Sequence, residues 1–383
     1  MSRIRGLGLT PFGRLEGLTT LDLMTRAAQA ALDDAQLERS EVDGLICGYS
    51  TTLPHLMLAN LFAERFGLQP SYAQAMQVGG ATGFAMVMLA HLLADAGVAR
   101  HILVVAGENR LTGQSRDTSI QTLAQVGHPE TEVPLGLTIP GYYGLLASHY
   151  LHAYGARAAD LAELAVLMRR NACAHPGAQF QTPISVADVL ASTPIADPLK
   201  LLDCCPVSDG AAALVISSEA SGVPCRAPSV RIRGAGQAHL HQHVSAIRDF
   251  EAVGAALALA RAQEAAGLRA SQARYAAIYD SFTVTLAILL EELGLAPRGK
   301  AGIWAREGYF DPSGPLALNT HGGLLSYGHC GVAGAMAHLV EACQQMTGQA
   351  GARQIASMPE LALAHGDGGV LSSHVSLILE RVK

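Results

Sequence analysis

The chain lacks any apolar run of about 18 residues, the length a membrane helix needs, and Met1-Ser-Arg-Ile-Arg5 opens it without a signal-peptide core. Neither a membrane span nor secretion is expected. It also lacks a basic block, and its net charge of −6 argues against nucleic acid as a partner. Cysteine is scarce, seven in 383 residues, odd in number and irregularly spaced, so no disulfide framework is expected. No linker, charged tail or low-complexity segment stands out. A dinucleotide fingerprint is missing, because Gly6-Leu-Gly8 and Gly234-Ala-Gly236 are not followed by a third glycine and an acidic partner; both pairs are expected in turns at strand ends. A metal site is missing too. His239, His241 and His243 alternate along a strand-like run and share one face, but no fourth ligand accompanies them, so a rim or loop role is expected.

What is present points to a cytoplasmic enzyme of closely packed helix–sheet layers: half of the residues are hydrophobic, forty are glycine, and the length allows two good cores. The chain also repeats itself. Arg3-Ile-Arg-Gly-Leu-Gly8 recurs as Arg231-Ile-Arg-Gly-Ala-Gly236, each followed by an expected amphipathic helix, 21–37 and 247–268. Gly79-Gly-Ala-Thr-Gly83 before a helix over 84–94 parallels Cys330-Gly-Val-Ala-Gly334 before a helix over 335–343, and β-rich runs at 211–217 and 374–380 close the two patterns. Strand and helix alternate in both halves, as parallel α/β layers require. The stretch from about 114 to 200 breaks the alternation and is expected to be an insertion covering a site.

The densest motif is Asn319-Thr-His-Gly-Gly-Leu-Leu-Ser-Tyr-Gly-His-Cys-Gly-Val-Ala-Gly334. Its glycines allow positive φ and close backbone approach, the apolar run that follows is expected to be a helix with its N-terminus toward a site, and a histidine there can present a fixed N–H to an oxygen gaining negative charge. The stretch resembles the Asn-x-x-Gly-Gly…Gly-His-Pro…Gly signature of the thiolase superfamily. Tyr279-Asp-Ser-Phe282 resembles that superfamily's Asn-Glu-Ala-Phe motif, 202–213 its Gly-Ala-rich turn into a buried strand, and His365-Gly-Asp-Gly-Gly369 its C-terminal Cys-x-Gly loop. The resemblance covers the whole length and is nearest the sterol-carrier-protein type of thiolase. It implies an α/β thiolase fold of two pseudo-repeated halves in five α-β-α-β-α layers: 1–113 with 201–228, then 229–383, with 114–200 as the covering insertion. It further implies an acyl-CoA substrate, and hence coenzyme A, and a homodimer.

Both thiolase cysteines are missing. Gly80 stands where the nucleophile belongs, and Ala364 and His365 precede Gly366 where the acid/base cysteine belongs. His329 and the amides of Gly80 and Gly366 still resemble oxyanion donors, so an enolate can be held. This departure resembles the thiolase-like aldolases of steroid side-chain degradation, which use two tyrosines; the matching positions are Tyr279 and Tyr327, expected to act as acid and base on a β-hydroxyacyl-CoA. Those relatives pair with a small zinc-ribbon/OB-fold protein, which implies a similar partner. Two alternatives stand beside this reading: an acetyl-CoA acyltransferase using Cys330, whose place at a helix head favours thiolate, and a non-catalytic acyl-CoA or lipid-binding subunit. Cys205 and His321 are candidate walls of the CoA pocket. Asp280 or Ser281 is expected to cap the helix over 284–293, and Arg169 and Arg170 to sit on a solvated helix end.

Overall fold

A computed structural model describes residues 1–221 and 228–382; residues 222–227, assigned above to the N-terminal half, lie outside the described residues. The chain opens with β1 (Ser2–Leu9), α1 (Thr20–Ala35), β2 (Gly44–Gly48), α2 (Leu58–Phe66), β3 (Tyr72–Met76), α3 (Thr82–Asp95) and β4 (His101–Asn109). Next come α4 (Arg116–Ala124), α5 (Ile139–Tyr154), α6 (Ala158–Ala172), α7 (Val186–Ala191) and a hairpin of β5 (Pro194–Ala196) and β6 (Leu199–Lys200), before β7 (Asp209–Ser218). The rest runs β8 (Ser229–His239), α8 (Ala255–Ala266), β9 (Tyr275–Ile278), α9 (Thr283–Glu292), α10 (Ala301–Arg306), β10 (Ala317–Leu318), α11 (Gly323–Ser326), α12 (Val332–Thr347), β11 (Leu361–Gly368) and β12 (Ser373–Val382).

The strands are ordered β10-β9-β11-β12-β8-β1-β7-β4-β2-β3. Divided between β8 and β1, this order is one pattern used twice, with two parallel pairings at the outer edge and two antiparallel ones toward the centre. The repeated Arg-Ile-Arg segments meet at that division: Arg3 lies opposite Arg231, and Glu219 accepts a hydrogen bond of 2.7 Å from each, offsetting the like charges. The register skips Arg5 between Ile4 and Gly6 on β1, and Arg233 between Ile232 and Gly234 on β8, so the repeat also carries a matching bulge.

The glycine pairs of the repeat are not turns. Gly6, Gly8, Gly234 and Gly236 lie within β1 and β8, where a Cβ would overlap the carbonyls of Ala31, Ala27, Ala262 and Ala258, so these glycines let α1 and α8 sit directly on the first strand of each half. Helix α8 begins later than its sequence pattern suggests. Gly254 has φ +122°, and the buried Glu292 carboxylate accepts from the N–H groups of Val253, Gly254 and Ala256, capping the helix there. Alternate residues of β4 and β7 serve two cores: Ile102, Val104, Leu214 and Ile216 face α3 and α12, while Leu103, Val105, Ala213 and Val215 face α1 and α2. Helices α3 and α12 pack on each other and against strands of both halves, which gives the central layer, while α5 and α6 lie over α9. No helix among the described residues is long and apolar enough to cross a membrane.

Candidate active site

The central layer brings the head of α3, the turn before α12 and the end of β9 together. His329 is held in that turn by the Ser208 hydroxyl, which accepts from its N–H at 2.9 Å, and by its carbonyl, which accepts from the Ser208 N–H at 3.1 Å. The Gly331 N–H donates to Nδ1 at 3.1 Å, so the proton of the neutral ring is assigned to Nε2. Burial, with the nearby Arg110 and His338, pushes the pKa of His329 down to about 3. The ring is therefore a neutral N–H donor at ordinary pH, as an oxyanion site needs. That donor meets the Tyr279 hydroxyl at 3.2 Å.

Tyr279 follows β9 directly, and its hydroxyl occupies the space that a side chain at position 80 would take. A Cβ on Gly80 would overlap the Tyr279 hydroxyl and the Asp367 carbonyl. The absence of a side chain at 80 and the presence of a phenol at 279 are thus one steric arrangement. Burial, with Cys205, Asp367 and Tyr49 beside it, pushes the Tyr279 pKa well above 10, so the phenol carries its proton. Asp367, in the His365–Gly369 segment and without a sequence signal of its own, is the carboxyl group of this cluster. Its Oδ2 accepts from the Tyr143 hydroxyl at 3.3 Å, its Oδ1 is buried without a hydrogen-bond partner, and burial holds the carboxyl well above the usual carboxylate range. Tyr143 comes from α5 and stacks on Phe282 at 4.3 Å, so α5 reaches this cluster.

Other expected site residues are placed differently. The Tyr327 hydroxyl donates to the Thr10 carbonyl at 3.2 Å, and its ring lies among Phe12, His175 and His321; it does not join the Tyr279–His329 hydrogen bond. His321 is 1% exposed, packed between Tyr327 and His338, with both ring nitrogens unpartnered. Cys330 is 0% exposed, and burial together with Glu108 pushes its thiol well above 9, so the helix head does not make it a thiolate. Cys205 does stand beside Tyr279, though burial raises its thiol as well. Gly366 is inside β11, where the Phe84 ring leaves no room for a Cβ. His365 is fixed in a directed chain: Ser376 donates to its Nδ1 at 2.7 Å, its Nε2–H reaches His374 Nδ1 at 3.3 Å, and His374 Nε2–H donates to Leu371.

Two helix-end readings also change. Asp280 caps α11 rather than α9, accepting from Leu324 N–H at 2.7 Å, and it meets His338 Nε2 at 3.0 Å. Arg169 is 7% exposed and donates to Ser326 and the Thr182 carbonyl, a structural tie rather than a solvated charge; Arg170 does face solvent and pairs with Asp311. No group of three or more potential metal ligands occurs among the described residues, and the six described cysteines are free thiols.

Known proteins match this architecture along its length. The N-terminal domain of thiolases matches residues 4–220, and the thiolase C-terminal domain-like family matches 236–381. A steroid side-chain-cleaving aldolase of Thermomonospora curvata is 31% identical over 84% of this chain and 85% of its own length. An acetyl-CoA acetyltransferase of Methanothermobacter thermautotrophicus is 28% identical over 97% of both chains. The solved Ltp2-ChsH2(DUF35) aldolase superposes with a TM-score of 0.85 at 29% identity, over 99% of this chain and 97% of that one. Two matched domains, the repeated sheet and a histidine donor facing the head of α3 agree: the chain belongs to the thiolase superfamily, as a sterol-carrier-protein-type or aldolase-type enzyme of acyl-CoA thioesters.

Proposed function

We propose that this enzyme cleaves or forms a carbon–carbon bond in a β-hydroxyacyl-CoA without a covalent acyl-enzyme. The observation that carries the reading is the Tyr279 hydroxyl, placed against Gly80 and within 3.2 Å of His329, in the space a nucleophilic side chain would need. In the cleavage direction the β-hydroxyl gives its proton to a base, the Cα–Cβ electron pair moves onto the thioester as an enolate, a carbonyl compound leaves, and Cα takes a proton. His329 Nε2–H, freed from Tyr279 when substrate enters, donates to the enolate oxygen. Tyr279 enters protonated and suits the acid that delivers the proton to Cα. Asp367 has one oxygen unpartnered and a proton affinity raised by burial, so in its carboxylate form it suits the base that receives the hydroxyl proton and then passes it on to restore Tyr279. Tyr327 has no part in this scheme.

The steroid side-chain aldolase relative supports the reaction type, and the two-component name of the solved aldolase supports a partner protein, for which we propose the small zinc-ribbon/OB-fold kind. We also infer a homodimer through β3, an edge strand with its three central residues exposed. The test separates aldol cleavage from thiolysis by cofactor demand. A panel of β-hydroxyacyl-CoA esters, with and without free CoA, is followed by mass spectrometry. Formation of a shorter acyl-CoA and a carbonyl compound without added CoA supports the proposal; activity only on β-ketoacyl-CoA with CoA consumed, or an acylated Cys330, replaces it with acyl transfer. No turnover with any ester, alongside tight binding of CoA thioesters, replaces it with the binding subunit.

A further inference from the structure

Arg110 opens the turn that follows β4, and its side chain is 9% exposed. A guanidinium carries five N–H donors and is costly to remove from water without acceptors. Here it makes no hydrogen bond among the described residues, and Nε is fully buried without a partner. Its one ion-pair neighbour, Glu108 Oε2, is 3.8 Å from Nε, beyond hydrogen-bond reach. Glu108 is engaged elsewhere, since its other oxygen accepts from the Thr51 and Thr52 N–H groups. The backbone beyond Arg110 is anchored, because Asp209 Oδ1 accepts from the N–H groups of Leu111 at 2.7 Å and Thr112 at 3.1 Å. A mobile surface arginine is therefore not the explanation.

The location says what the donors face. Glu108 lies against Gly331, where a Cβ would overlap its Oε2, and Gly331 in turn holds His329. The strand that supplies Asp209 starts two residues after Val207, which bridges to His329. Arg110 also acts electrostatically on His329, Cys205 and Tyr49. The cation is therefore beside the residues assigned to the thioester oxygen, whereas the phosphates of CoA are separated from its thioester by the whole pantetheine arm. One further polar group beside Glu108 is buried without a partner, the Thr51 hydroxyl. A planar fork of unused donors matches a carboxylate better than a single hydroxyl or ketone oxygen.

We propose that Arg110 binds a carboxylate carried by the acyl group of the CoA thioester, so that the substrate class is an acyl-CoA with an acidic side chain. The inference rests on the acyl-CoA reading of the site but not on the bond that is cleaved. Calorimetry compares succinyl-CoA with butyryl-CoA and glutaryl-CoA with pentanoyl-CoA, pairs that differ in a carboxylate against a methyl group. The wild-type protein is expected to bind the acidic member of at least one pair about tenfold more tightly or better, the range for a hydrogen bond to a charged group. Arg110→Gln should close that gap and Arg110→Lys should keep part of it, with circular dichroism melts confirming that both fold. Equal affinities within both pairs for the wild type, or an unchanged gap in Arg110→Gln, overturn the proposal; if Arg110→Gln then also changes the sedimentation of the protein, Arg110 serves a contact between chains instead. A clear gap without any aldol turnover would sink the reaction proposed above and leave this binding site standing.

Discussion

The heads of α3 and α12 occupy equivalent places in the two halves, yet they are built for opposite ends. At α3, Gly80 is partly exposed and a phenol from β9 takes the room of its side chain. At α12, a real thiol is present on Cys330, but it has 0% exposure, with the Glu108 carboxylate among the groups that raise it. The helix dipole is the same in both, worth roughly 0.3–1 kcal/mol to an anion near the surface. Burying an unpaired thiolate costs more than that, so burial decides. A cysteine at a helix head is a nucleophile only where solvent or substrate can reach it.

The most direct way to break this contrast is to empty the α3 side of its proton carrier. Tyr279→Phe keeps the ring and removes the hydroxyl, and turnover of a β-hydroxyacyl-CoA is expected to fall about 10²–10⁴ in steady-state assays. A near-normal rate would move the acid elsewhere and make the two heads equivalent again. His329→Ala removes the donor and is expected to cost about 10²–10³ in turnover with a smaller change in CoA-ester affinity from calorimetry.

Acid sharpens the contrast in stability. Burial lowers the pKa of His329 to about 3 and of His175 and His374 to about 4, against 6.5 for the free side chain. The unfolded chain then binds more protons below pH 6.5, so the stability these neutral rings support is complete above that pH. It is lost as pH falls toward 4, by up to about 1.4 kcal/mol per pH unit for each ring. Denaturant melts at pH 7 and pH 5 should show the loss, and a flat profile would mean the rings are charged or solvated.

A methyl group tests the packing of each head. Gly80→Ala should destabilise by about 1–3 kcal/mol, and adding Tyr279→Ser should recover part of it, since the overlap with the phenol is relieved while that with the Asp367 carbonyl stays. Gly331→Ala, at φ +63° and against Glu108, should gain nothing from the same second change. Additive losses at Gly80 and Tyr279 in urea melts would deny their contact. The smallest effect is expected from iodoacetamide on the native protein: aldol turnover should be nearly unchanged and Cys330 unmodified in a peptide map, because the buried thiol presents no surface.

Much of this was legible in the chain. Arg3–Gly8 and Arg231–Gly236 announce two like halves because strand, bulge and helix contact repeat with the same local demands. The Asn319–Gly334 motif marks the histidine donor because its glycines must leave backbone room in any version of that turn. The pair of glycines at each strand was misplaced, since the crowding that requires them comes from α1 and α8, not from a turn. Which phenol meets His329 was equally hidden: Tyr327 is adjacent to it in sequence but is drawn to Thr10, whereas Tyr279 arrives from β9 fifty residues away. Asp367 and Arg110 were invisible for the same reason, being ordinary loop and strand-end residues until folding removes their water. The sequence by itself determined the doubled α/β plan, the loss of both thiols and the donor histidine, because periodicity and missing atoms are local facts. Only the tertiary structure decided which acids and phenols are buried together, because burial and proton affinity depend on neighbours that lie far apart along the chain.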